Sequence, residues 1–546
     1  MPAPNDSEVF FLTQFFLMAA IVIAACVLCN KLSSKLGVPT LLAFILLGMF
    51  FGSDGVVKIP FDNYVFAEQI CSLALIFIMF YGGFGTKWSE ARPVVVKAGL
   101  LSSLGTLMTA GLVGLFCWGV LHLAPLESFL LGSVIASTDA ASVFSILRSK
   151  RLNLRYHTAS LLEVESGSND PFSYMLTVTV LSLMTGEVSG VRLAYSVFAQ
   201  LVYGAALGLC VALLTRVFFR RFRFGSEGFD AIFLVAVALL SYAAPTLLGG
   251  NGYLSVYITG ILLGNSQLPN KQALVNFFDG TTGLMQMLLF FLLGLLAFPS
   301  QLPTLAPIAL AVALFLTFVA RPLAVFALLR PFRSGLRQIL LVSWSGMRGA
   351  ASIVFSILAI TSPAVVNLDL YHMVFFIVLF SILIQGTLIP VLARKLNMTD
   401  QDTDVMKTFT DYTDEVPVQF LQCTVSPSHP WANQAVRDLT LPPDCLLVLL
   451  TRNGTKQVPN GSTCLLPGDS LLLSGRAGGQ VSGVRLYERI LAKEDPWLGR
   501  PLSALPTEDQ LIILIRRRGG ILIPNGDTVL QAGDGLVIHD AGPLHQ

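Results

Sequence analysis

Residues 157–184 read HTASLLEVESGSNDPFSYMLTVTVLSLM. The segment is long enough to cross a lipid bilayer, since a transmembrane helix needs about 20 mainly apolar residues. It nevertheless contains the acids Glu163, Glu165 and Asp170. A charged side chain at the middle of a membrane helix costs about 2.5–3.5 kcal/mol on translocon scales, so acids at this depth are candidates for function by default. The segment therefore predicts a membrane helix that carries a site.

The composition of the whole chain agrees with a membrane location. Hydrophobic residues make up 54% of its 546 residues and charged residues only 12%, against about 25% charged in ordinary soluble domains. The net charge of +2 gives no overall basic field, which argues against nucleic acid as a partner. The cysteines show no metal-ligand spacing beyond Cys26-x-x-Cys29, which we interpret as apolar packing, so no metal or other cofactor is expected.

Apolar segments of suitable length recur along residues 1–398 and predict a polytopic α-helical membrane protein with about 13 spans. Their approximate positions are 10–29, 38–52, 65–85, 97–121, 126–147, 157–184, 193–219, 229–248, 251–264, 278–298, 306–329, 337–360 and 370–392. One alternate set of connecting segments is rich in Lys and Arg, whereas the other holds only Lys58 and Arg192. Because basic residues accumulate on the cytoplasmic side, we expect the amino terminus outside, the carboxy-terminal tail in the cytoplasm, and a location in the bacterial inner membrane.

Small polar residues interrupt the fifth and the twelfth of these segments. The fifth contains Ser133, Ser137 and Thr138, and the twelfth contains Gly346 and Gly349 among serines. If the seventh segment is a linker, the spans divide as six, one and six, and each interrupted helix is the fifth of its half. This is the inverted-repeat plan of secondary transporters, in which the site lies where two broken helices cross near the midplane of the membrane.

The spacing within residues 157–184 gives that helix two functional directions. Ser166 lies four residues before Asp170 and Glu163 seven, so these three share a face, while Glu165 points about 140° away. Pro171 cannot donate a backbone hydrogen bond, which leaves the carbonyl four residues earlier free to bind a cation or water. A carboxyl group in a low-dielectric site also accepts a proton more readily than one in water. Asp170 can therefore bind a cation and a proton in competition, and the sequence leaves open whether Glu163 takes part.

Three motifs at these positions resemble the monovalent cation/proton antiporter family of NhaP type. They are Thr138-Asp139, Glu165-x-x-x-Asn169-Asp170 and Gly346-Met347-Arg348-Gly349-Ala350, and the resemblance extends over about residues 10–396.

The resemblance implies a homodimer that exchanges a monovalent cation for protons by alternating access, with Asp170 carrying the cation or the proton. It implies that Glu165 forms a structural ion pair with Arg348. It further implies that the cation site is lined by Thr138, Asp139, Ser166 and Asn169.

After residue 398 the sequence becomes polar and then β-rich. We predict an acidic linker at 399–415 and two similar small modules, at 416–482 and 483–546, in a cytoplasmic α/β tail. The modules repeat at an offset of 65 residues: Pro459-Asn460-Gly461 matches Pro524-Asn525-Gly526, and Gly468-Asp469 matches Gly533-Asp534. The first module resembles the carboxy-terminal module of RCK/TrkA potassium-transport regulators. This second resemblance implies a regulatory tail with a possible small ligand, and favours potassium over sodium or lithium as the cation.

Two other functional classes fit the sequence less well. A potassium channel gated by an RCK-type tail is the main alternative, but Gly250-Asn251-Gly252-Tyr253 is a poor match to a carbonyl-lined filter of the Thr-Val-Gly-Tyr-Gly type. An intramembrane metallohydrolase would require a His-Glu-x-x-His motif, which the sequence lacks. We therefore expect a secondary active transporter and not an enzyme, driven by a gradient of protons or of the cation.

Overall fold

The computed structural model describes residues 13, 17, 20–29, 31, 40–149, 152–186, 189–222, 227–400, 418–427, 429–441, 445–452, 455–476, 486–491, 495–505, 510–517, 520–522, 524 and 526–540. The chain divides into two units, residues 1–412 and residues 413–546. In their described parts the first unit is helical apart from one short strand pair, and the second consists mainly of β-strands.

Apolar runs form the helices of the first unit, because a helix satisfies its backbone polar groups internally and can therefore lie in lipid. In chain order the helices are α1 (Ala20–Cys29), α2 (Thr40–Phe51), α3 (Tyr64–Gly85), α4 (Val95–Gly119), α5 (Pro125–Val134), α6 (Ala140–Ser149), α7 (Thr158–Met184), α8 (Gly190–Arg221), α9 (Glu227–Leu247), α10 (Gly252–Gly264), α11 (Lys271–Leu295), α12 (Pro303–Phe332), α13 (Leu336–Trp344), α14 (Ala350–Thr361) and α15 (Leu370–Lys395).

Within the described residues, seven of these helices are long and apolar enough to cross a membrane: α3, α4, α8, α9, α11, α12 and α15. The predicted number of about 13 spans stays a prediction, because most of residues 1–39 lie outside the described part of the chain. The predicted membrane-protein fold class is confirmed by these helices.

Two pairs of short helices replace what would otherwise be continuous spans. Residues 135–139 are not helical and separate α5 from α6, and residues 345–349 separate α13 from α14. These are the places where the sequence predicted interruptions from small polar residues. Unwound backbone inside a membrane is tolerated where it is buried in protein or lines a cavity.

Small residues allow other helices to approach each other closely. Helix α10 packs against α3, where a Cβ atom on Gly260 would collide with the carbonyl oxygen of Phe80. Helix α2 packs against α11 in the same way, at Gly48 and Gly294. Membrane helices gain van der Waals contact through such small residues, since lipid provides no hydrophobic drive between helices. These contacts fix α3, α10 and α11, which form part of the wall of the cavity described below.

A short antiparallel strand pair joins the end of the first unit to the segment between α6 and α7. It consists of β1 (Asn153–Leu154) and β2 (Thr399–Asp400). The acidic linker was expected to begin at residue 399, whereas Thr399 and Asp400 are paired with β1. The rest of the predicted linker, residues 401–415, lies outside the described residues.

The second unit contains two four-stranded antiparallel sheets with the same strand order. The first has the order β3-β6-β4-β5, with β3 (Val418–Thr424), β4 (Leu446–Arg452), β5 (Thr455–Gln457) and β6 (Ser470–Arg476). The second has the order β7-β10-β8-β9, with β7 (Leu486–Ile490), β8 (Gln510–Arg517), β9 (Gly520–Leu522) and β10 (Gly535–Asp540). The shared order agrees with the internal repeat read from the sequence.

Each tail module is held together by the same ion pair. Arg452 donates to the two carboxylate oxygens of Asp469 at 2.8 and 2.6 Å, and Arg517 donates to those of Asp534 at 2.8 and 2.7 Å. Both aspartates are 1% exposed. The hydrogen bonds from arginine are the main reason why the pKa of each of these carboxyl groups lies below its ordinary value.

We expect each ion pair to stabilise its own module, so that each module is the control for the other. A carboxyl group whose pKa is lowered by folding stabilises the folded state above its unfolded pKa of about 3.9, and this contribution is lost as the pH falls below that value. At pH 7, Asp469→Asn should raise amide hydrogen-exchange rates in β4 and β6 by about tenfold or more without changing those in β8 and β10. Asp534→Asn should do the reverse. Hydrogen exchange of the whole protein, followed by mass spectrometry, measures both, and equal changes in the two modules would contradict the prediction.

Candidate functional site

The two broken helices meet at their interruptions. The backbone N–H of Asp139, at the end of the first interruption, donates to the carbonyl oxygen of Met347 in the second at 2.8 Å. The crossing of broken helices predicted from the sequence is confirmed by this contact. Because residues 135–139 and 345–349 are not helical, their backbone polar groups must find partners outside a helical ladder.

Arg348 provides partners for the first interruption. One nitrogen of its guanidinium group donates to the carbonyl oxygens of Ala136 and Ser137, both at 2.7 Å. Its own backbone N–H donates to the hydroxyl of Ser381 in α15 at 2.9 Å. The side chain is 1% exposed. Arg348 therefore brings a positive charge to the unwound carbonyls and joins the two broken helices.

Asp170 lies near the middle of α7 and faces the first interruption. The hydroxyl of Ser137 donates to its carboxylate. Asn251 of the segment before α10 donates to the carbonyl of Pro171 at 2.8 Å, next to Asp170 in the chain. The proline keeps α7 helical but supplies no N–H to the turn before it. Asp170 therefore lies where backbone hydrogen bonds are missing both in α7 and in the interruption between α5 and α6.

Polar side chains of α7 attach the helix to the same interruption. Ser166 donates to the backbone carbonyl of Thr138 at 2.8 Å, and the amide nitrogen of Asn169 donates to the Thr138 hydroxyl at 2.5 Å. One turn after Asn169, Ser173 donates to the carbonyl of Ser133 at 2.6 Å. These bonds bring three of the predicted lining residues within one cluster around Asp170.

Asp139 begins α6. Its carboxylate accepts a hydrogen bond from the backbone N–H of Ser142 at 3.2 Å and another from the Ser142 hydroxyl. This is the bonding of an amino-terminal helix cap. A Cβ atom on Gly349 would collide with the Asp139 side chain, so the two interruptions also touch here. Asp139 has a structural role at this position in addition to lining the cavity.

A cavity of about 420 Å³ lies beside the crossing and contains the Asp170 side chain in its wall. Its wall includes residues 163–170 of α7, residues 75–82 of α3 and residues 279–286 in the middle of α11. Four acids line it and no Lys, Arg or His is among its described lining residues. The polar side chains that contribute to the wall are Tyr81, Ser137, Thr138, Asp139, Glu163, Ser166, Asp170, Tyr257, Asp279, Thr282 and Gln286.

An aromatic cluster follows Asp170 along α7. Tyr174, one turn after Asp170, packs against Tyr253 with ring centroids 5.1 Å apart and against Phe355 at 5.8 Å. Tyr253 and Phe355 are 2% and 0% exposed and contact each other at 5.9 Å. None of the three is among the described residues that line the cavity. The described cavity-lining residues of α7 therefore end at Asp170, and the aromatic cluster begins one turn later.

The predicted ion pair between Glu165 and Arg348 is wrong in its partner. Glu165 bonds directly to the guanidinium group of Arg321 in α12, and both side chains are buried, at 1% and 3% exposure. The predicted direction of Glu165, away from Asp170, agrees with this contact. Arg348 is occupied by the carbonyls of the first interruption instead. Unwound carbonyls compete well for a buried guanidinium group, because they have lost their helical partners.

Sequence reasoning missed several side chains of this site. Ser137 was noted only as a helix-interrupting residue, although it bonds to Asp170. Arg321 was not assigned to Glu165, although its position deep within an apolar span was an available signal. Tyr257 lies on α10, which contains no acid, so no sequence pattern indicated it. Thr282 lies three residues after Asp279 on α11, and that spacing on one helix face was the available signal. Within the described residues, no group of three or more His, Cys, Asp or Glu side chains is arranged to hold a resident metal ion.

Comparison with known proteins identifies the family. The model of the transmembrane sodium/hydrogen exchanger family matches residues 20–395. The chain belongs to this family. Its members are transporters, so the expectation of a transporter and not an enzyme is confirmed. The TrkA-C domain model matches residues 420–479 and 486–538, one match in each tail module.

Curated relatives match this chain over most of their length. The chain is 33% identical over 471 residues to the K(+)/H(+) antiporter NhaP2 of Shewanella oneidensis, which covers 85% of this chain and 82% of the relative. It is 32% identical over 442 residues to the K(+)/H(+) antiporter NhaP of Alkalimonas amylolytica, covering 80% and 77%. The resemblance to NhaP-type antiporters with a TrkA-type tail is thereby confirmed.

A solved structure shares the fold of the membrane unit. The sodium proton antiporter MjNhaP1 of Methanocaldococcus jannaschii at pH 8 superposes with a TM-score of 0.61 at 22% identity, covering 70% of this chain and 99% of that one. The likeness supports the fold of the exchanger family for the helical unit.

Proposed function

We propose that this antiporter exchanges potassium for protons by alternating access, with Asp170 as the group that binds the cation and the proton in turn. The choice of potassium rests on the K(+)/H(+) antiporters of Shewanella oneidensis and Alkalimonas amylolytica, which are more than 30% identical to this chain. Sodium and lithium are the competing cations.

The observation that carries the proposal is the position of the Asp170 carboxylate in the wall of an acidic cavity, at the crossing of two broken helices. Carboxylate, hydroxyl and carbonyl oxygens are the ligands that hard cations take. Asp170 supplies the carboxylate, Ser137 and Thr138 supply hydroxyls, and the interruptions supply carbonyls. When the carboxyl group holds a proton it offers less charge to a cation, so the two occupants exclude each other.

Alternating access fits the one-sided cavity. The end of α3 and the start of α7, which contribute to the cavity wall, are next to Lys- and Arg-rich segments, which supports a cytoplasmic location for the open side. The cluster of Tyr174, Tyr253 and Phe355 then closes the outer side. We propose that these rings separate when the broken helices move to the outward-open state, in an inner-membrane homodimer with its amino terminus outside.

A potassium channel is disfavoured by the same features. A conducting channel needs a continuous path with weak, closely spaced sites. Here the next turn of α7 after Asp170 carries Tyr174, which packs against the buried ring of Tyr253 and not in the described cavity wall.

The proposal is tested by exchange in proteoliposomes that contain a pH-sensitive dye. Addition of potassium to vesicles with an imposed proton gradient should release the gradient with saturable kinetics, and sodium and lithium should do so less effectively. Proton movement that requires no added cation, or potassium flux that continues without proton counter-flux, would contradict antiport.

The tail should regulate exchange without being needed for it. All the acids of the cavity lie before residue 400 and the β1–β2 pair ends at Asp400, so a chain ending at about residue 405 keeps the whole site. We expect this truncated chain to retain exchange at a rate within about threefold of the full-length rate. Its dependence on pH or on a tail ligand should be altered. A ligand of the tail acts by its differential affinity for the two conformational states, and this effect is lost with the tail. Loss of exchange in a truncated chain that still inserts and assembles would show that the tail belongs to the transport machinery.

A further inference from the structure

Glu163 is a buried acid of the cavity that the proposed cycle does not use. It lies seven residues before Asp170 on the same face of α7, which corresponds to about 10 Å along the helix axis. Its side chain lines the cavity and is 9% exposed. In the cavity wall Glu163 lies on the amino-terminal side of Asp170 along α7, which is the side that we propose opens to the cytoplasm.

Glu163 has a partner that can bond to it in either protonation state. The hydroxyl oxygen of Thr86 lies 3.1 Å from a carboxyl oxygen of Glu163 and 2.8 Å from the carbonyl oxygen of Gly82. A hydroxyl group carries one hydrogen and can also accept. With Glu163 charged, Thr86 donates to it. With Glu163 protonated, Thr86 accepts from it and donates to Gly82 instead.

A buried hydroxyl group of the same cavity has no hydrogen-bond partner among the described residues. It belongs to Thr282, which is 7% exposed. The phenol of Tyr257, which is 3% exposed and packs on Gly167, lies next to the hydroxyl groups of Thr86 and Ser168. Buried polar groups are almost always hydrogen-bonded to protein or ordered water. The position of Thr282 in the cavity wall indicates that water or a cation in the cavity bonds to its hydroxyl group.

The titratable groups that share the cavity wall with Glu163 are acids. They are Asp170 on its own helix, Asp139 before α6, Asp279 on α11 and the phenols of Tyr81 and Tyr257. Tyr81 donates to Asp279 at 3.1 Å. Outside the wall, Glu90 on the short helix Trp88–Ala91 lies 3.6 Å from His157.

We propose that Glu163 is a second proton-carrying group, which relays the proton between Asp170 and the open side of the cavity. When a cation binds, the O–H bond of the Asp170 carboxyl breaks, each hydrogen along the water and hydroxyl chain moves one position, and an O–H bond forms on the Glu163 carboxylate. The cation takes the place of the proton at Asp170. Glu163 then gives its proton to water at the mouth of the cavity. The inference rests on the proposed function and adds a residue to its proton path.

The test uses Glu163→Gln in full-length protein in proteoliposomes, with Asp279→Asn as a control that removes one negative charge from the same cavity. We expect Glu163→Gln to lower the maximal exchange rate about tenfold or more, within the range of a lost general acid–base group. The potassium concentration for half-maximal rate should change less than twofold. Millimolar azide or formate, which are small proton carriers, should restore part of the exchange rate of Glu163→Gln. The same compounds should not raise the exchange rate of Asp279→Asn. Glu163→Asp should retain most of the rate.

A second measurement covers the case in which Glu163→Gln is poorly active for structural reasons. Purified wild-type protein in detergent should release protons to a pH dye when potassium chloride is added, and Glu163→Gln should release them more slowly. An unchanged maximal rate in Glu163→Gln, or a loss that neither azide nor Glu163→Asp restores, would overturn the relay. Both results leave potassium/proton exchange itself intact, whereas its absence from the wild type would refute the proposed function.

Discussion

The substitution Asp170→Asn is expected to lower cation/proton exchange by at least about a hundredfold while leaving the protein folded and inserted. The amide has the size of the carboxylate, and its oxygen can still accept the hydrogen bond from Ser137. What it cannot do is change charge by gaining or losing a proton. Because exchange needs one group with two competing occupants, this single loss should stop the cycle. Dye-loaded proteoliposomes with equal amounts of wild-type and variant protein measure the effect.

A matched control is offered by Asp369→Asn. Asp369 caps α15 through the backbone N–H of His372 at 3.3 Å and lies outside the cavity. Its substitution should leave exchange near the wild-type rate, which separates loss of a carboxyl group at the site from loss of a carboxyl group elsewhere. Potassium-dependent proton movement in Asp170→Asn at more than a few per cent of wild type would remove Asp170 from its proposed role.

The sequence predicted the features of this protein that depend on backbone chemistry and helical geometry. Serine and glycine at Ser137 and Gly349 predicted the two interruptions, since these residues weaken a helix wherever packing does not compensate. The spacing from Glu165 to Asp170 predicted that the two side chains point in different directions. The repeat in the tail predicted two modules with the same turn and the same Asp, and each module has its Arg–Asp pair at the predicted offset.

The sequence could not predict contacts that depend on how distant helices are placed. Glu165 can reach either Arg321 or Arg348 as far as chain order is concerned, and the choice is made by unwound carbonyls that only the folded crossing creates. Tyr257 reaches the cavity because α10 packs tightly on α3. Neither of these contacts leaves a periodic signal, since each is set by one residue on each helix.

The pair of Glu165 and Arg321 gives the second large effect. Both side chains are buried, so removing one leaves an unpaired charge in a low-dielectric site at a cost of about 3–5 kcal/mol. We expect Glu165→Gln and Arg321→Met each to lower the free energy of unfolding by an amount in this range. The double variant should be less destabilised than the sum, with a coupling energy of about 1–3 kcal/mol. Reversible unfolding in mixed detergent micelles, followed by circular dichroism, gives the free energies.

Arg348 supplies the comparison that decides between the two possible partners of Glu165. The charges of Arg321 and Glu165 both act on Arg348, the first by repulsion and the second by attraction, but its hydrogen bonds go to Ala136 and Ser137. The cycle of Glu165→Gln with Arg348→Met should therefore give a coupling energy well below that of the cycle with Arg321→Met. A larger coupling with Arg348 would restore the pairing first expected from the sequence. Arg348 bonds to the interruption that carries Ser137, so Arg348→Met should also slow exchange. Arg321→Lys keeps the positive charge beside Glu165 and should slow exchange less.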